Sequence, residues 1–165
     1  ENVYEQIEQL GVLTGHSQAA IEVSKTLQTG IEDAVASVKF SEPPLSYYYE
    51  LDNTYYSVTS NTFVGQIFNL FGMRNIADNV ESGNDYPQLS AEVIVSSDPD
   101  FIFLADTKCC AQDATTVAAR DGWGGLKAVT ANRVVELDDD VASRWGPRVL
   151  DLITAIRDAV AAANS

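Results

Sequence analysis

A short apolar run, FIFLA at residues 101–105, most constrains the fold of this chain. A strand that is apolar without interruption is typical of a sheet covered on both faces, because neither face is then left to water. Strand and helix patterns alternate around this run, from LSYYYEL at 45–51 to RVVEL at 133–137. The alternation predicts an α/β fold with a mostly parallel sheet flanked by helices.

The helices that connect these strands are predicted from capping residues and apolar spacing. The segment SNTFVGQIFNLFG at 60–72 has Ser60 or Asn61 as its helix cap and Gly72 after its end. Another helix, of about two turns, begins after Ser90. The remaining elements are a short strand near Asn75–Ile76, helical pieces near 113–120 and 124–129, and a final helix that opens with Gly146-Pro147 and carries an inner stripe of Val149, Leu152, Ile153, Ile156 and Val160.

Two helices are predicted before the alternating part of the chain. The first covers about residues 2–9, with Gly11 and Gly15 as stop signals, and the second runs from Ser17 to Val38. The helix pair begins abruptly at residue 1, without the basic segment of a signal peptide. We therefore expect further chain to have preceded it.

The charge of the chain argues against some partners. It has 24 Asp and Glu against 10 Lys and Arg, a formal net charge of −14 at pH 7. Nucleic acids and anionic membrane surfaces repel such a chain, so neither is expected as a partner. No apolar run approaches the ~20 residues that span a bilayer.

Aromatic and basic residues occur in the loops that follow the predicted strands. In open α/β sheets, ligands bind beyond the carboxyl ends of the strands, where these loops meet. Tyr and Trp offer flat apolar area with a polar group, which suits a large, partly apolar ligand. The alternative is that each aromatic residue covers a sheet edge or the core. The candidate ligand-binding residues are Tyr55 and Tyr56 in loop 52–60, Tyr86 in loop 77–89, Lys108 in loop 106–112, and Arg144 and Trp145 in loop 138–146.

The sequence carries no motif typical of catalysis or of a cofactor. His16, the only histidine, is interpreted as a surface residue or the neighbour of a helix cap. The adjacent Cys109 and Cys110 are interpreted as buried thiols or a strained vicinal disulfide, in preference to a redox pair or a ligand contact. The acidic run 138–140 is interpreted as a solvated loop, in preference to a weak cation site. We therefore expect no catalytic residue, no metal site and no cofactor.

Several blocks of the sequence occur in a characteristic order: LGVLTG, SNTFVGQIFNLFGMRNIAD, YPQLSAEVIVSSDPDFIFLAD, GWGGLKAVTANRVVEL and SRWGPRVLDLI. Together they resemble one family, the substrate-binding proteins of ABC importers for cobalamin, ferric siderophores and haem. The resemblance covers nearly the whole chain but only the C-terminal lobe of that two-lobed fold. It implies that residues 1–40 are N-terminal helices including the interlobe linker helix, that residues 41–165 are the C-terminal α/β lobe, and that the N-terminal lobe is absent.

The resemblance implies a protein without enzymatic activity that captures an iron–siderophore or cobalamin-type ligand between its lobes. Lys108 and Arg144 would favour an anionic ferric siderophore. A haem-binding component is an alternative, although Trp145 stands near the place where some haem-binding members have a Tyr ligand. A receptor-like interaction or signalling domain and a small α/β thiol enzyme are further alternatives. The family is extracytoplasmic, either periplasmic or attached to the membrane through an upstream lipid anchor.

Glu92 has a separate implied role, docking on the permease of the importer. It lies two residues past the expected cap, Ser90, whereas a capping box requires the acid at the position of Val93. In the family, a Glu on an early turn of a C-lobe helix contacts arginines of the permease, and the YPQLSAE block places Glu92 at that point. The alternative is a charge that only stabilises the helix N-terminus.

Overall fold

The computed structural model describes residues 2–142 and 148–164. Its four-stranded sheet consists of β1 (Ser46–Glu50), β2 (Arg74–Asn75), β3 (Phe101–Leu104) and β4 (Val134–Glu136). Each neighbouring pair is parallel, in the order β2-β1-β3-β4. The predicted parallel α/β sheet is confirmed, although β2 lies one residue earlier than expected because Ile76 already opens a 3-10 turn.

Helices precede, connect and follow these strands. Their bounds are α1 Asn2–Leu13, α2 Ser17–Ala36, α3 Phe63–Leu70, α4 Ala91–Ser97, α5 Ala114–Ala118, α6 Lys127–Thr130, α7 Asp139–Ala142 and α8 Val149–Ala163. The helical pieces predicted near 113–120 and 124–129 correspond to α5 and to a 3-10 turn followed by α6. The expected opening of the last helix at Gly146-Pro147 lies outside the described residues. No helix in the described part of the chain is long and apolar enough to cross a membrane.

The side chains of β1 alternate between two apolar clusters, one on each face of the sheet. Tyr47 and Tyr49 pack into a cluster with α2, α3 and α8, where the Tyr47 ring stacks on Phe68 with 4.1 Å between centroids. Tyr48 packs into the opposite cluster, with α4 and Trp123. Helices therefore cover both faces, as the apolar run in β3 predicts. The predicted inner stripe of α8 is buried in the first cluster.

The N-terminal helices end at different residues from those predicted. Instead of ending near residue 9, α1 continues to Leu13, and Gly11 lies inside the helix, where it lets α2 approach closely. A Cβ on Gly11 would lie only 2.3 Å from that of Ala20. Gly15, with a φ of 73°, follows α1 as the stop signal. The second helix, α2, ends at Ala36 and packs on α8, while the division of the chain at residue 40 stays a prediction.

The cap predicted for α3 is wrong. Thr62 caps this helix, its hydroxyl accepting the N–H of Gly65 at 3.0 Å. Ser60 donates instead to the carboxylate of Asp78 at 2.8 Å. The helix begins at Phe63, later than its apolar pattern suggests, so Ser60 and Asn61 stand too far upstream to serve as caps.

Candidate ligand-binding site

The loops that leave the strands lie at one edge of the sheet, because all four strands are parallel. The loop after β1 runs antiparallel to residues 85–89. Ser57 N–H donates to Pro87 O, and Leu89 N–H donates to Tyr55 O, both at 3.0 Å. Two of the loops predicted to hold ligand-binding residues are therefore joined. We call this surface the carboxyl edge; it comprises residues 51–60, 85–89, 105–112 and 137–142.

Tyr56 and Tyr86 are brought together at the carboxyl edge. Tyr56 forms an antiparallel bridge with Gln88. Tyr86 lies two residues before Gln88 in the segment joined to this loop. Both side chains are exposed, 41% for Tyr56 and 56% for Tyr86. Two exposed aromatic residues in joined segments of one edge offer apolar surface of the kind that contacts a large ligand.

Tyr55 has a different environment from its neighbour. Its half-buried ring stacks on Trp123, with 5.6 Å between centroids and an interplanar angle of 28°. Its backbone is left-handed, with a φ of 71°. At least one face of this ring therefore covers the core.

Lys108 lies at the carboxyl edge but is paired with acids of the same edge. Its Nζ is 2.7 Å from Asp138 Oδ2 and 3.8 Å from Asp140 Oδ2. The hydrogen bond to Asp138 raises the pKa of Lys108. An anionic ligand would have to compete with Asp138 for this ammonium group. Arg144 and Trp145, the candidates from the last loop, lie outside the described residues.

Glu92 is exposed on the first turn of α4. Ser90 caps the helix, as predicted, by accepting the N–H of Val93 at 3.3 Å. Hydrogen bonds from the backbone N–H of Glu92, and then from Ser90, lower the pKa of the Glu92 carboxyl. The carboxylate is therefore ionised at neutral pH and accessible to a partner outside the lobe.

A buried polar cluster beneath these loops is not predicted from the sequence. Glu50 ends β1 and Asp106 follows β3, and both are fully buried. Arg120 donates to the two carboxylate oxygens of Glu50 at 2.6 and 2.7 Å, and to Gln112 Oε1 at 2.7 Å. Its guanidinium carbon lies 4.6 Å from the centroid of the Trp123 ring. A signal for the cluster exists in the sequence, since an acid directly ends each of the apolar runs YYYE and FIFLAD.

The carboxyl group of Asp106 gains or loses its proton near neutral pH. Neither of its oxygens has a hydrogen-bond donor among the described residues. Burial, and then the neighbouring Glu50 carboxylate, raise the pKa of Asp106 to about 7 against the opposing charge of Arg120. A buried carboxylate without donors is unfavourable, so the neutral form, which can donate to Glu50, is favoured.

The interpretation of the cysteines as buried thiols or a vicinal disulfide is wrong. Both are free, with Cys109 exposed and Cys110 partly buried. Their loop is held at the surface by the Asp139 carboxylate, which accepts the N–H groups of Lys108 and Cys109 at 3.0 and 2.8 Å. The hydrogen bond with Cys110, and then burial, raise the pKa of Cys109 to about 12. The Cys109 thiolate is therefore scarce at neutral pH, which argues against Cys109 as an attacking thiol.

His16 is exposed and occupies the N-cap position of α2 without a capping hydrogen bond, in agreement with its interpretation as a surface residue. Within residues 2–142 and 148–164, no group of three or more His, Cys, Asp or Glu side chains is placed to hold a metal ion. The acidic run 138–140 takes part instead in hydrogen bonds and ion pairs with the loop after β3.

Comparison with known proteins assigns the family. The family model described as periplasmic binding protein matches residues 1–141, and the chain belongs to this family. Over 162 residues it is 27% identical to an uncharacterized ABC transporter substrate-binding lipoprotein, YvrC, of Bacillus subtilis, covering 96% of this chain and 49% of that protein. Over 164 residues it is 29% identical to a cobalamin-binding protein of Halobacterium salinarum, covering 96% of this chain and 44% of that protein.

A solved structure has the same fold. It is a possible iron-binding (periplasmic solute-binding) protein from Staphylococcus epidermidis, with a TM-score of 0.80 and 22% identity, covering 96% of this chain and 61% of that one. The resemblance to substrate-binding proteins of ABC importers, and the extracytoplasmic location it implies, are thus confirmed. The chain spans about half the length of the curated relatives it matches.

Proposed function

We propose that this chain is the C-terminal lobe of the substrate-binding component of an ABC importer. The carboxyl edge contacts the ligand, which is enclosed against an N-terminal lobe and then passed to the membrane permease. One observation carries this proposal. In a member of the periplasmic binding protein family, the exit loops of a parallel sheet bring the exposed Tyr56 and Tyr86 together at a single edge. The protein binds and releases its ligand without changing it chemically.

The ligand is a cobalamin-type molecule or an iron–siderophore, and the charges in the described part of the carboxyl edge favour the first. Lys108, expected to attract an anionic siderophore, is already paired with Asp138. Arg120, a second cation that lies beneath this edge, is only 13% exposed and forms an internal ion pair. A ligand without strong negative charge needs neither cation, and its apolar surface suits Tyr56 and Tyr86. One relative is named a cobalamin-binding protein.

Glu92 docks the lobe on the permease. Its side chain is exposed and ionised, and the cap of α4 is completed by Ser90, so the charge of Glu92 is available to a partner. An arginine pairs with a carboxylate through two parallel hydrogen bonds, which fixes orientation as well as affinity. Contact with the membrane itself depends on the permease.

Isothermal titration calorimetry on the full-length natural protein that contains this chain tests the ligand class. Cyanocobalamin, ferric citrate, a ferric hydroxamate and haem are titrated separately. We expect cyanocobalamin to bind with a dissociation constant of about 1 μM or lower, a free energy of binding near −8 kcal/mol. If no probe binds more tightly than about 100 μM, the proposed ligand class is wrong.

The variant Lys108→Met separates the two ligand classes. Because Asp138 already pairs with this ammonium group, we expect the affinity for cyanocobalamin to stay within about twofold of the wild-type value. If the affinity for ferric citrate falls about tenfold or more while the affinity for cyanocobalamin does not fall, Lys108 recognises anionic chelates, and this result would favour a siderophore as the ligand.

A further inference from the structure

Tyr55 adopts a backbone conformation that its surroundings must hold. Its φ of 71° lies in the left-handed region, which is uncommon for a residue other than glycine. Such conformations persist only where several neighbouring contacts hold the backbone in place, and they cluster at functional sites. Tyr55 lies in the loop after β1, directly before the exposed Tyr56.

Two side chains hold the ring of Tyr55. The indole of Trp123 stacks on it, with 5.6 Å between centroids. The guanidinium carbon of Arg120 lies 5.5 Å from the centroid of the Tyr55 ring and 4.6 Å from that of Trp123. A cation at these distances is attracted to an aromatic ring, and the attraction is stronger where water is excluded. The Arg120 side chain is only 13% exposed, so its guanidinium meets this condition.

Arg120 is held in turn by two other segments of the chain. Glu50, at the end of β1, accepts two hydrogen bonds from the guanidinium, at 2.6 and 2.7 Å. Gln112, in the loop after β3, accepts a third at 2.7 Å. Bidentate pairing fixes the plane of a guanidinium group as well as its position. One side chain therefore connects β1, the loop that follows it and the loop after β3.

We propose that Arg120, oriented by Glu50, is a positioning residue of the carboxyl edge: it sets the ring of Tyr55 and, through it, the loop that presents Tyr56 to the ligand. The effect on affinity rests on the proposed function, whereas the effect on the order of the loop does not. Lysine cannot replace Arg120, because an ammonium group forms no bidentate pair and has no planar face to stack on a ring.

Hydrogen exchange in the loop after β1 tests the positioning without any ligand. The amides of Leu51 and Leu89 are the reporters, since they donate to Tyr56 O at 2.9 Å and to Tyr55 O at 3.0 Å. In Arg120→Lys we expect both amides to exchange about tenfold faster or more, while amides in the middle of α8 keep their rates. Unchanged reporter rates, or an equal acceleration throughout the chain, would overturn the proposal.

The matched control for this experiment is Arg133→Lys. Arg133 also stacks on an aromatic ring, with its guanidinium carbon 5.3 Å from the centroid of Phe101, but it directly precedes β4, at the opposite edge of the sheet. We expect this variant to leave the reporter amides unchanged. If Arg120→Lys does not fold, Gln112→Ala takes its place, because it removes a single acceptor of the guanidinium and should act in the same direction.

A double-mutant cycle with cyanocobalamin tests the effect on affinity in the full-length protein. We expect Arg120→Lys to weaken binding by about tenfold in the wild-type background and by less than about twofold in a Tyr55→Ala background, because Arg120 acts through Tyr55. Equal losses in both backgrounds, or no loss in either, would refute the positioning role in binding. If the wild-type protein binds no probe, the proposed function fails, and hydrogen exchange still decides whether Arg120 orders the loop.

Discussion

The carboxyl group of Asp106 lies beside the carboxylate of Glu50, and both side chains are fully buried under the carboxyl edge. The short hydrogen bonds of Arg120 go to Glu50 and Gln112 and none goes to Asp106, whose carboxyl oxygens have no hydrogen-bond partner among the described residues. Neighbouring buried carboxylates repel each other, and one of them therefore keeps its proton. With the pKa of Asp106 raised to about 7, this proton is lost within the physiological range of pH.

The stability of the chain should depend on pH through Asp106, and Asp106→Asn should remove this dependence. An aspartate in the unfolded chain has a pKa near 3.9, so between about pH 4 and pH 7 the folded state binds more protons. The contribution of Asp106 to the free energy of unfolding is fully present below about pH 4 and is lost as the pH rises to about 7. Within this range the free energy of unfolding falls by at most ~1.4 kcal/mol per pH unit. Asparagine cannot ionise and can still donate to Glu50. Urea unfolding of both proteins from pH 4.5 to 8 measures the difference.

The expected sign is that Asp106→Asn gains stability relative to the wild type as the pH rises, and that the gain levels off above about pH 7. Asp33→Asn, which changes an exposed acid on α2, is the control and should run parallel to the wild type at every pH. A constant difference between Asp106→Asn and the wild type across the range would contradict the assignment of the proton to Asp106.

Glu92→Arg should abolish transport while leaving ligand affinity unchanged. The side chain is exposed, so its reversal disturbs little inside the chain, but under the proposed docking role it would replace attraction to arginines of the permease by repulsion. Uptake of cyanocobalamin by vesicles that contain the permease is measured alongside calorimetric affinity. The control is Asp33→Arg, a reversal of another exposed acid, for which we expect normal uptake. Undiminished uptake with Glu92→Arg would leave this residue as a helix-terminal charge without a docking role.

Tyr86→Ala should weaken ligand binding by ~1–3 kcal/mol, the range typical of aromatic residues at the centre of a binding surface. Its side chain is 56% exposed, so the melting temperature should change little. Phe40→Ala is a matched control, because Phe40 is also 56% exposed but packs on Gly72, near the start of β2 and away from the carboxyl edge. Calorimetry with cyanocobalamin compares the two variants; an equal, small effect of both would mean that Tyr86 does not contact the ligand.

The sheet could be predicted from the sequence because its signals are local. An apolar run such as FIFLA identifies a covered strand by itself, and parallel strands place their exit loops at one edge whatever the details of packing. This reasoning placed Tyr56 and Tyr86 at the same edge. It did not place Tyr56 beside Gln88, because the pairing of two irregular segments leaves no periodic trace in either.

The features that the sequence did not predict depend on contacts between distant residues. Arg120 and Glu50 are 70 positions apart, and nothing in the local pattern of either indicates the other. Gly11 has the local signature of a helix stop, yet it allows α2 to approach α1, which only the packing of the two helices reveals. The outward position of Cys109 likewise depends on the Asp139 carboxylate, which is 30 positions away.

Gly65→Ala should destabilise the chain and disturb the carboxyl edge together. A Cβ at this position in α3 would lie 2.1 Å from Thr59 O and 2.6 Å from Ser60 Cα, and these backbone atoms cannot rotate away as a side chain can. We expect a loss of ~1–3 kcal/mol or more in the free energy of unfolding, the range for a forced insertion into a packed site. Because Thr59 belongs to the loop that carries Tyr56, the affinity of the full-length protein for cyanocobalamin should fall as well. Gly125→Ala is the control, because an added Cβ there meets no heavy atom of the described residues within 4 Å. If urea unfolds the two variants at equal midpoints, α3 can move away from the loop without a loss of stability.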